Sequence, residues 1–285
     1  MATIEIPAGR IHYVERGEGP PVVLLHGLLI NHTVWDEVID LLPEGFRYVL
    51  PDLPLGAHPE PMNDGTDLSM RGLNQVIVDF LAALDLHDVT LVHSDWGGGL
   101  FLTANGLDER VGRLIVLPCE AFGNFPPGLP GRMAILASAL PGGIVLALRQ
   151  MRVRWLLSSP LLFGWMAKRP LSQELVHGWT EPGLRDKRIR RDVLAYLRAP
   201  RDKRVLIADT EALGGFSGDA LILWSSAGKV MPREHGRRLA EILPNGRLVE
   251  IDDAYVLSML DRPVEVAAAM SAFLIEATAK TPHAE

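Results

Sequence analysis

"LVHSDWGGG", residues 91–99, runs a short apolar segment into three consecutive glycines. Two side chains with chemistry to offer, Ser94 and Asp95, sit at the junction. Upstream, "DVTLVHS" (88–94) reads as a buried strand, because it is short, apolar and bounded by turn residues. The question is which of the two side chains would attack a substrate, and whether any base completes the reaction.

Working outward, similar runs recur along the chain. "TIEIP" and "RIHYVERG" predict an opening hairpin; "PVVLLHG" (21–27), "RYVLPDLP" (47–54) and "GRLIVLP" (112–118) predict further buried strands. "DALILWS" (219–225) and "GRLVEID" (246–252) predict two more, separated by a helix over "PREHGRRLAEIL" (232–243), and a last helix runs from Pro263 to about Ala277. Strands alternating with helical patterns describe a wound α/β sheet. The stretch 122–216 differs: it lacks strand-like runs, opens on "GNFPPGLPG", and reads as helices broken by Pro and Gly. The expected organisation is therefore a core of 1–121 and 217–285 carrying a helical cap, 122–216.

Composition narrows the function classes. With 285 residues and 48% hydrophobic content, the chain can bury a large core. A net charge of −7 argues against a general nucleic-acid binder. No run of 18 uncharged apolar residues occurs and the first ten residues lack a signal-peptide pattern, so no membrane partner is expected and a cytoplasmic protein is the default. The single cysteine, Cys119, permits no internal disulfide, and no Cys/His spacing suggests zinc; neither a metal nor a cofactor is expected. The charges are unevenly placed: residues 123–215 hold 15 Lys+Arg against 7 Asp+Glu, the remainder 13 against 28. "LRDKRIRRDVLAYLRAPRDKR" (184–204) reads first as a solvated helix face and second as an attraction for an anionic ligand.

The order of these pieces resembles the α/β-hydrolase fold over nearly the whole chain. His26-Gly27 ends the third strand, "DLP" (52–54) follows the fourth, an elbow-like turn follows the fifth, and a helical cap interrupts the chain before two final strands. The elbow is most similar to the aspartate-nucleophile branch, the haloalkane dehalogenases and epoxide hydrolases. The resemblance favours Asp95 over Ser94, because Gly97 then falls two residues after the nucleophile, where Trp96 would crowd the turn. It implies that Asp95 attacks an electrophilic carbon to form an ester, with the carboxylate already ionised near pH 7 from its reference pKa of about 3.9. It also implies backbone donors at Trp96, at a helix N-terminus, and at Leu28, and a halide-binding role for the Trp96 indole. Trp155, Trp165 and Trp179 stand as substitutes for a second halide donor, though each reads first as packing. Of the two cap tyrosines the epoxide branch uses, only Tyr196 is available.

The departures from the family are as specific. His93 replaces the usual Gly two residues before the nucleophile and reads first as a packed histidine. The base, seven residues before Pro263, is replaced by Val256, and Gly228 stands where one acid position falls in "WSSAGKVMP". The other acid position is filled by Glu120 in "LPCEAF". The base has moved, to His93, Glu120 or a cap residue such as His177; or the reaction needs no ester hydrolysis, as in a lyase or isomerase; or the chain binds ligands on an enzyme scaffold; or it is an altered form of an active enzyme. His26 is expected to fix the oxyanion loop, and His58 and His235 to lie on the surface. Ser225, Ser226 and Ser258 lack elbow context. The expected partner is a small, largely apolar organic molecule, and the oligomeric state stays open.

Overall fold

In a computed structural model, which describes residues 1–96 and 99–280, the apolar runs form eight strands. They are β1 (Ala2–Ile6), β2 (Gly9–Arg16), β3 (Pro21–Leu24), β4 (Arg47–Pro51), β5 (Val89–Asp95), β6 (Val111–Cys119), β7 (Ala220–Ser225) and β8 (Gly246–Ile251). Their order across one sheet is β1-β2-β4-β3-β5-β6-β7-β8. β2 pairs antiparallel with β1 and β4, and the other neighbours are parallel. A parallel sheet is covered on both faces, so its strands read as continuous apolar runs; all six residues of β7, "ALILWS", are buried.

The described residues contain eleven α-helices: α1 (Asp36–Ile39), α2 (Met70–Ala83), α3 (Gly128–Ala139), α4 (Gly143–Met151), α5 (Arg154–Leu157), α6 (Gln173–Arg185), α7 (Lys187–Arg198), α8 (Lys203–Glu211), α9 (Arg233–Ile242), α10 (Ser258–Asp261) and α11 (Pro263–Lys280). Their starts follow the local chemistry. Ser69 Oγ accepts the Gly72 N–H at the head of α2, and Asp186 accepts the Arg188 N–H at the head of α7. Six of them, α3 to α8, occupy the connection between β6 and β7, where the sequence lacks strand runs.

Two expectations are corrected here. The basic run 184–204 is not one solvated face: α7 stops at Arg198 because Pro200 forces Ala199 into an extended conformation (ψ 135°). Several of its arginines are turned onto backbone carbonyls, Arg190 onto Gly183, Arg198 onto Ser138 and Arg201 onto Tyr196. His58 is not on the surface either. It is buried, with Nδ1 accepting the Gly56 N–H and Nε2 set 3.2 Å from Asp192 on α7, so it ties the segment after β4 to the helical insertion. His235 is half-buried against Phe122, ring centroids 5.0 Å apart.

The strand order places the site. From β3 the chain moves to β4 on one side, then crosses to β5 on the other, so the carboxyl ends of β3 and β5 flank a reversal of direction. Open α/β sheets bind their ligands in the crevice such a reversal leaves. Gly27 and Leu28 follow β3, and Asp95 ends β5.

Candidate active site

Asp95 occupies a strained backbone position, with φ 55°. A non-glycine residue in the left-handed region costs roughly 1–3 kcal/mol, which the surrounding structure must offset. The register of β5 on β6 shifts between His93 and Asp95, which lifts Asp95 out of the regular ladder. The turn leaves no room opposite: a Cβ added at Gly27 would lie 2.0 Å from Asp95 Oδ2. Ser94 is turned the other way, its Oγ donating to the Leu25 carbonyl at 3.3 Å, and only Asp95 of the two lines the cavity above. Gly97 and Gly98 lie outside the described residues. The α-helix expected to begin at Trp96 does not follow among the described residues; two 3-10 turns, Gly99–Phe101 and Thr103–Asn105, do, in keeping with the poor helix propensity of the glycine run.

Leu28 N–H donates to Asp95 Oδ2 at 3.2 Å. Burial pushes the Asp95 carboxyl up to about 7, and the Glu120 charge adds to that shift, while the Trp96 and Leu28 N–H groups oppose it. A shift in that direction favours the protonated carboxyl, against the expectation of a group fully ionised near neutral pH.

Over Asp95 lies a cavity of about 300 Å³. Leu28, Leu29, Met133, Leu140, Leu146 and Phe163 supply much of its wall, and no lysine, arginine or histidine lines it. An anionic ligand would find no cation there, so the basic excess of the insertion does not serve the cavity. The polar side chains on its wall are Asp95, Trp96, Gln150 and Ser159. Trp96 is almost wholly buried, packed edge-on against Phe125 at 5.1 Å and Tyr196 at 6.1 Å, yet its indole N–H makes no hydrogen bond among the described residues. Ser159 Oγ is likewise buried without a hydrogen-bond partner among the described residues. Arg201 braces the rings from behind, its guanidinium 4.5 Å from the Tyr196 centroid and 4.8 Å from that of Phe125. Gln150, Ser159 and Arg201 carry no motif; only the packing of the insertion reveals them.

Glu120 follows β6 and is buried beside Asp95, close enough to raise its pKa, but off the cavity wall. His93 is fully buried as well, with Nε2 3.7 Å from Glu120 Oε2, too long for a hydrogen bond, and it too is off the wall. His93, Cys119 and Glu120 are the one group among the described residues with metal-ligating potential, their ligand atoms within 4.8 Å of one another. A tetrahedral zinc shell needs separations of about 3.8 Å or less, and burial, with the Glu120 and Asp95 charges, holds the Cys119 thiol well above its ordinary range. The raised thiol disfavours the thiolate such an ion would need.

The alternative bases do not gather. Val256 is fully buried in the core, and Gly228 has no side chain to offer. His177 is exposed on α6. His26 is committed to structure: Nε2 accepts the Leu53 N–H at 2.8 Å, Nδ1 meets the Gly27 carbonyl at 2.9 Å, and burial lowers its pKa to about 4. Ser225 Oγ donates to the Tyr255 carbonyl and Ser226 Oγ to Asp252. The substitute tryptophans fall away for separate reasons. Trp155 is exposed, Trp165 lies off the cavity wall, and Trp179 donates its N–H to Thr33 Oγ1 at 3.0 Å. Tyr196 is buried next to Trp96, its hydroxyl within electrostatic reach of Glu120, Arg201 and Asp95.

Comparison with known proteins bears on the fold. The family described as the alpha/beta hydrolase family matches residues 22–269. A soluble epoxide hydrolase of Corynebacterium sp. (strain C12) is 36% identical over 110 residues, 38% of this chain and 37% of that protein. A cis-3-alkyl-4-alkyloxetan-2-one decarboxylase of Shewanella oneidensis is 28% identical over 116 residues, 40% of this chain and 36% of that protein. Each match spans little more than a third of the relative's own length. Among solved structures, a haloalkane dehalogenase of Agrobacterium tumefaciens C58 superposes with a TM-score of 0.76 at 21% identity, covering 96% of both chains.

Proposed function

This chain belongs to the alpha/beta hydrolase family, and from that premise we propose that it is an enzyme of small apolar organic electrophiles, of haloalkane, epoxide or ester type, whose nucleophile is Asp95. The observation that carries this reading is the unpartnered indole N–H of Trp96, buried beside Asp95 on the wall of an apolar cavity. A buried donor without a partner costs about 1–3 kcal/mol, and a leaving group that arrives with developing negative charge would satisfy it.

In the first step Leu28 N–H holds Oδ2 while the other carboxylate oxygen, Oδ1, attacks carbon. A C–O bond forms, the bond to the leaving group breaks, and that group departs with its electron pair toward the Trp96 N–H. Hydrolysis of the resulting ester would place its charge on the oxygen beside the Leu28 and Trp96 backbone donors. It also needs an activated water, and Val256 supplies no base. Release of the ester is therefore the slow step of a hydrolytic cycle.

The same observation favours a second reading, a lyase. If Asp95 opens a β-lactone at its alkyl carbon, the freed carboxylate can lose CO₂ while the electron pair forms an alkene and expels Asp95. The atoms balance without water, and the named activity of the Shewanella relative is of this kind. Intact-mass spectrometry after incubation with a panel of haloalkanes, epoxides and β-lactones tests both. A persistent Asp95 adduct is expected with haloalkanes, together with about one halide released per chain. A single turnover in ¹⁸O-water separates the two: hydrolysis leaves ¹⁸O in the Asp95 carboxyl, elimination leaves none. Adduct formation on Ser94, or none across the panel, would overturn the assignment.

A further inference from the structure

Between Glu120 and Glu174 the chain contains no acidic residue, and it contains six basic ones, Arg132, Arg149, Arg152, Arg154, Lys168 and Arg169. Three of these are neutralised: Arg152 by Glu181, Lys168 by Asp253 and Arg169 by Glu37. Arg132, Arg149 and Arg154 form no ion pair among the described residues and are exposed. The same segment holds much of the exposed large apolar surface: Leu136 is 50% exposed, Leu140 52%, Leu146 58% and Trp155 74%, with Val153 and Leu161 also exposed. Leu136, Leu140, Leu146 and Leu161 line the cavity over Asp95 as well, so the apolar wall continues outward onto the surface.

Helix α3 sharpens the point. "GLPGRMAILASA" is apolar around most of its circumference, yet only Gly131 and Ser138 are buried. A helix of that composition belongs inside a protein or against a non-aqueous phase. The cations are interleaved with the leucines at helical spacing, Arg132 four residues before Leu136 and Arg149 three after Leu146, and Arg154 adjoins Trp155. Long cationic side chains placed so can lie along apolar surface while their heads reach anionic groups.

We propose that the face of the insertion around the cavity mouth, built on Leu136, Leu140, Leu146 and Trp155 with Arg132, Arg149 and Arg154, docks on the surface of an anionic lipid bilayer, from which apolar substrate enters the cavity. No helix among the described residues is long and apolar enough to cross a membrane, so the attachment is to one leaflet. The expectation of no membrane partner rested on the lack of a spanning segment, which such docking does not require. Charge selects a lipid surface over a second copy of this chain, because two copies meeting face to face would bring the unpaired arginines together.

The test is flotation of the full chain with vesicles of 30% phosphatidylglycerol in phosphatidylcholine, and with phosphatidylcholine alone. Binding to the anionic vesicles is expected, weakened by 0.5 M salt. The variant R132Q/R149Q/R154Q should bind on the order of 100-fold more weakly, at roughly fivefold per charge. V153S/W155S should lose most of its binding while keeping the wild-type circular dichroism. Asp95→Asn should float like the wild type, so the docking face and the Asp95 chemistry can fail separately. Equal binding to both vesicles, no flotation with either, or a concentration-dependent dimer dispersed by V153S/W155S would overturn the proposal.

Discussion

The carboxyl ends of β5 and β8 stand in contrast. At the end of β5 a strained Asp95, a glycine at 27 that makes room for it, the Leu28 donor and an unsatisfied Trp96 N–H converge on one carboxylate. At the end of β8 the loop presents Val256 and Leu257, both sunk in the core, and Leu257 N–H is spent on the Met166 carbonyl. Attack and release are thus separable in this fold. Attack asks for an ionisable oxygen and a place for the leaving group; release by water asks for a proton acceptor as well. On the proposed reading the end of β5 holds the groups that attack requires, while the end of β8, on the same edge of the parallel sheet, holds apolar packing where water activation would need a proton acceptor.

The contrast breaks most sharply at Asp95 itself. Asp95→Asn is expected to lower adduct formation by on the order of 10⁴-fold or more, while Ser94→Ala, whose hydroxyl faces the Leu25 carbonyl, retains most of it; mass spectrometry of the two proteins checks this. Gly27→Ala comes next. The added Cβ must push the carboxylate aside, and a displacement near 1 Å costs about 10²-fold in attack rate, measurable by stopped-flow halide release in a protein whose far-UV spectrum is unchanged. Trp96→Phe keeps the ring and removes the donor. It should slow attack by roughly 10- to 100-fold, the worth of a hydrogen bond to a charged group, and more for chloride than for iodide, which needs less help to leave.

The pH dependence has a definite sign. Only the ionised carboxylate attacks, so the rate should rise about tenfold per pH unit below 7 and level off above it. Stability runs the other way. Because the folded-state pKa lies above the unfolded value of about 3.9, the native state binds the extra proton; Asp95 costs nothing below pH 4, and its cost grows as pH rises to about 7. Asp95→Asn should therefore be more stable than wild type at pH 8, by at most about 4 kcal/mol, and little different at pH 4. Denaturant titrations at the two values decide it. The smallest expected gain is at β8: Val256→His should accelerate release of a preformed ester by about tenfold, restrained by the tight packing at that position. If the variant folds and releases no faster against any adduct, the lyase reading gains over the hydrolytic one.

Much of the framework was legible beforehand because it depends on local pattern. Each apolar run from "PVVLL" to "DALILWS" became a strand within two or three residues, since a strand covered on both faces has to be apolar throughout; "GRLVEI" became the half-buried edge strand. The elbow reading drew on the glycines after Asp95, of which Gly97 and Gly98 lie outside the described residues. Less legible were the polar residues scattered through the middle of the chain. His58 looked like a loop histidine because nothing in "PLGAHPEPM" announces that Asp192, 134 residues away, will be its partner. Most basic residues of 184–204 are exposed, but Arg190, Arg198 and Arg201 reach backbone carbonyls that a helical wheel does not display.

By itself the sequence determined the succession of strands and helices of a wound α/β sheet and the position of the helical insertion, both of which follow from periodicity, whereas the order of the strands across the sheet came from tertiary pairing. Tertiary structure alone decided that Ser94 faces into the sheet while Asp95 faces the cavity, that burial pushes the Asp95 carboxyl up to about 7, that the Trp96 N–H has no partner among the described residues, and that the leucines of α3 and α4 remain uncovered. Each of these depends on what is brought next to a group from far along the chain, and desolvation, hydrogen-bond satisfaction and burial are properties of that neighbourhood rather than of the residue.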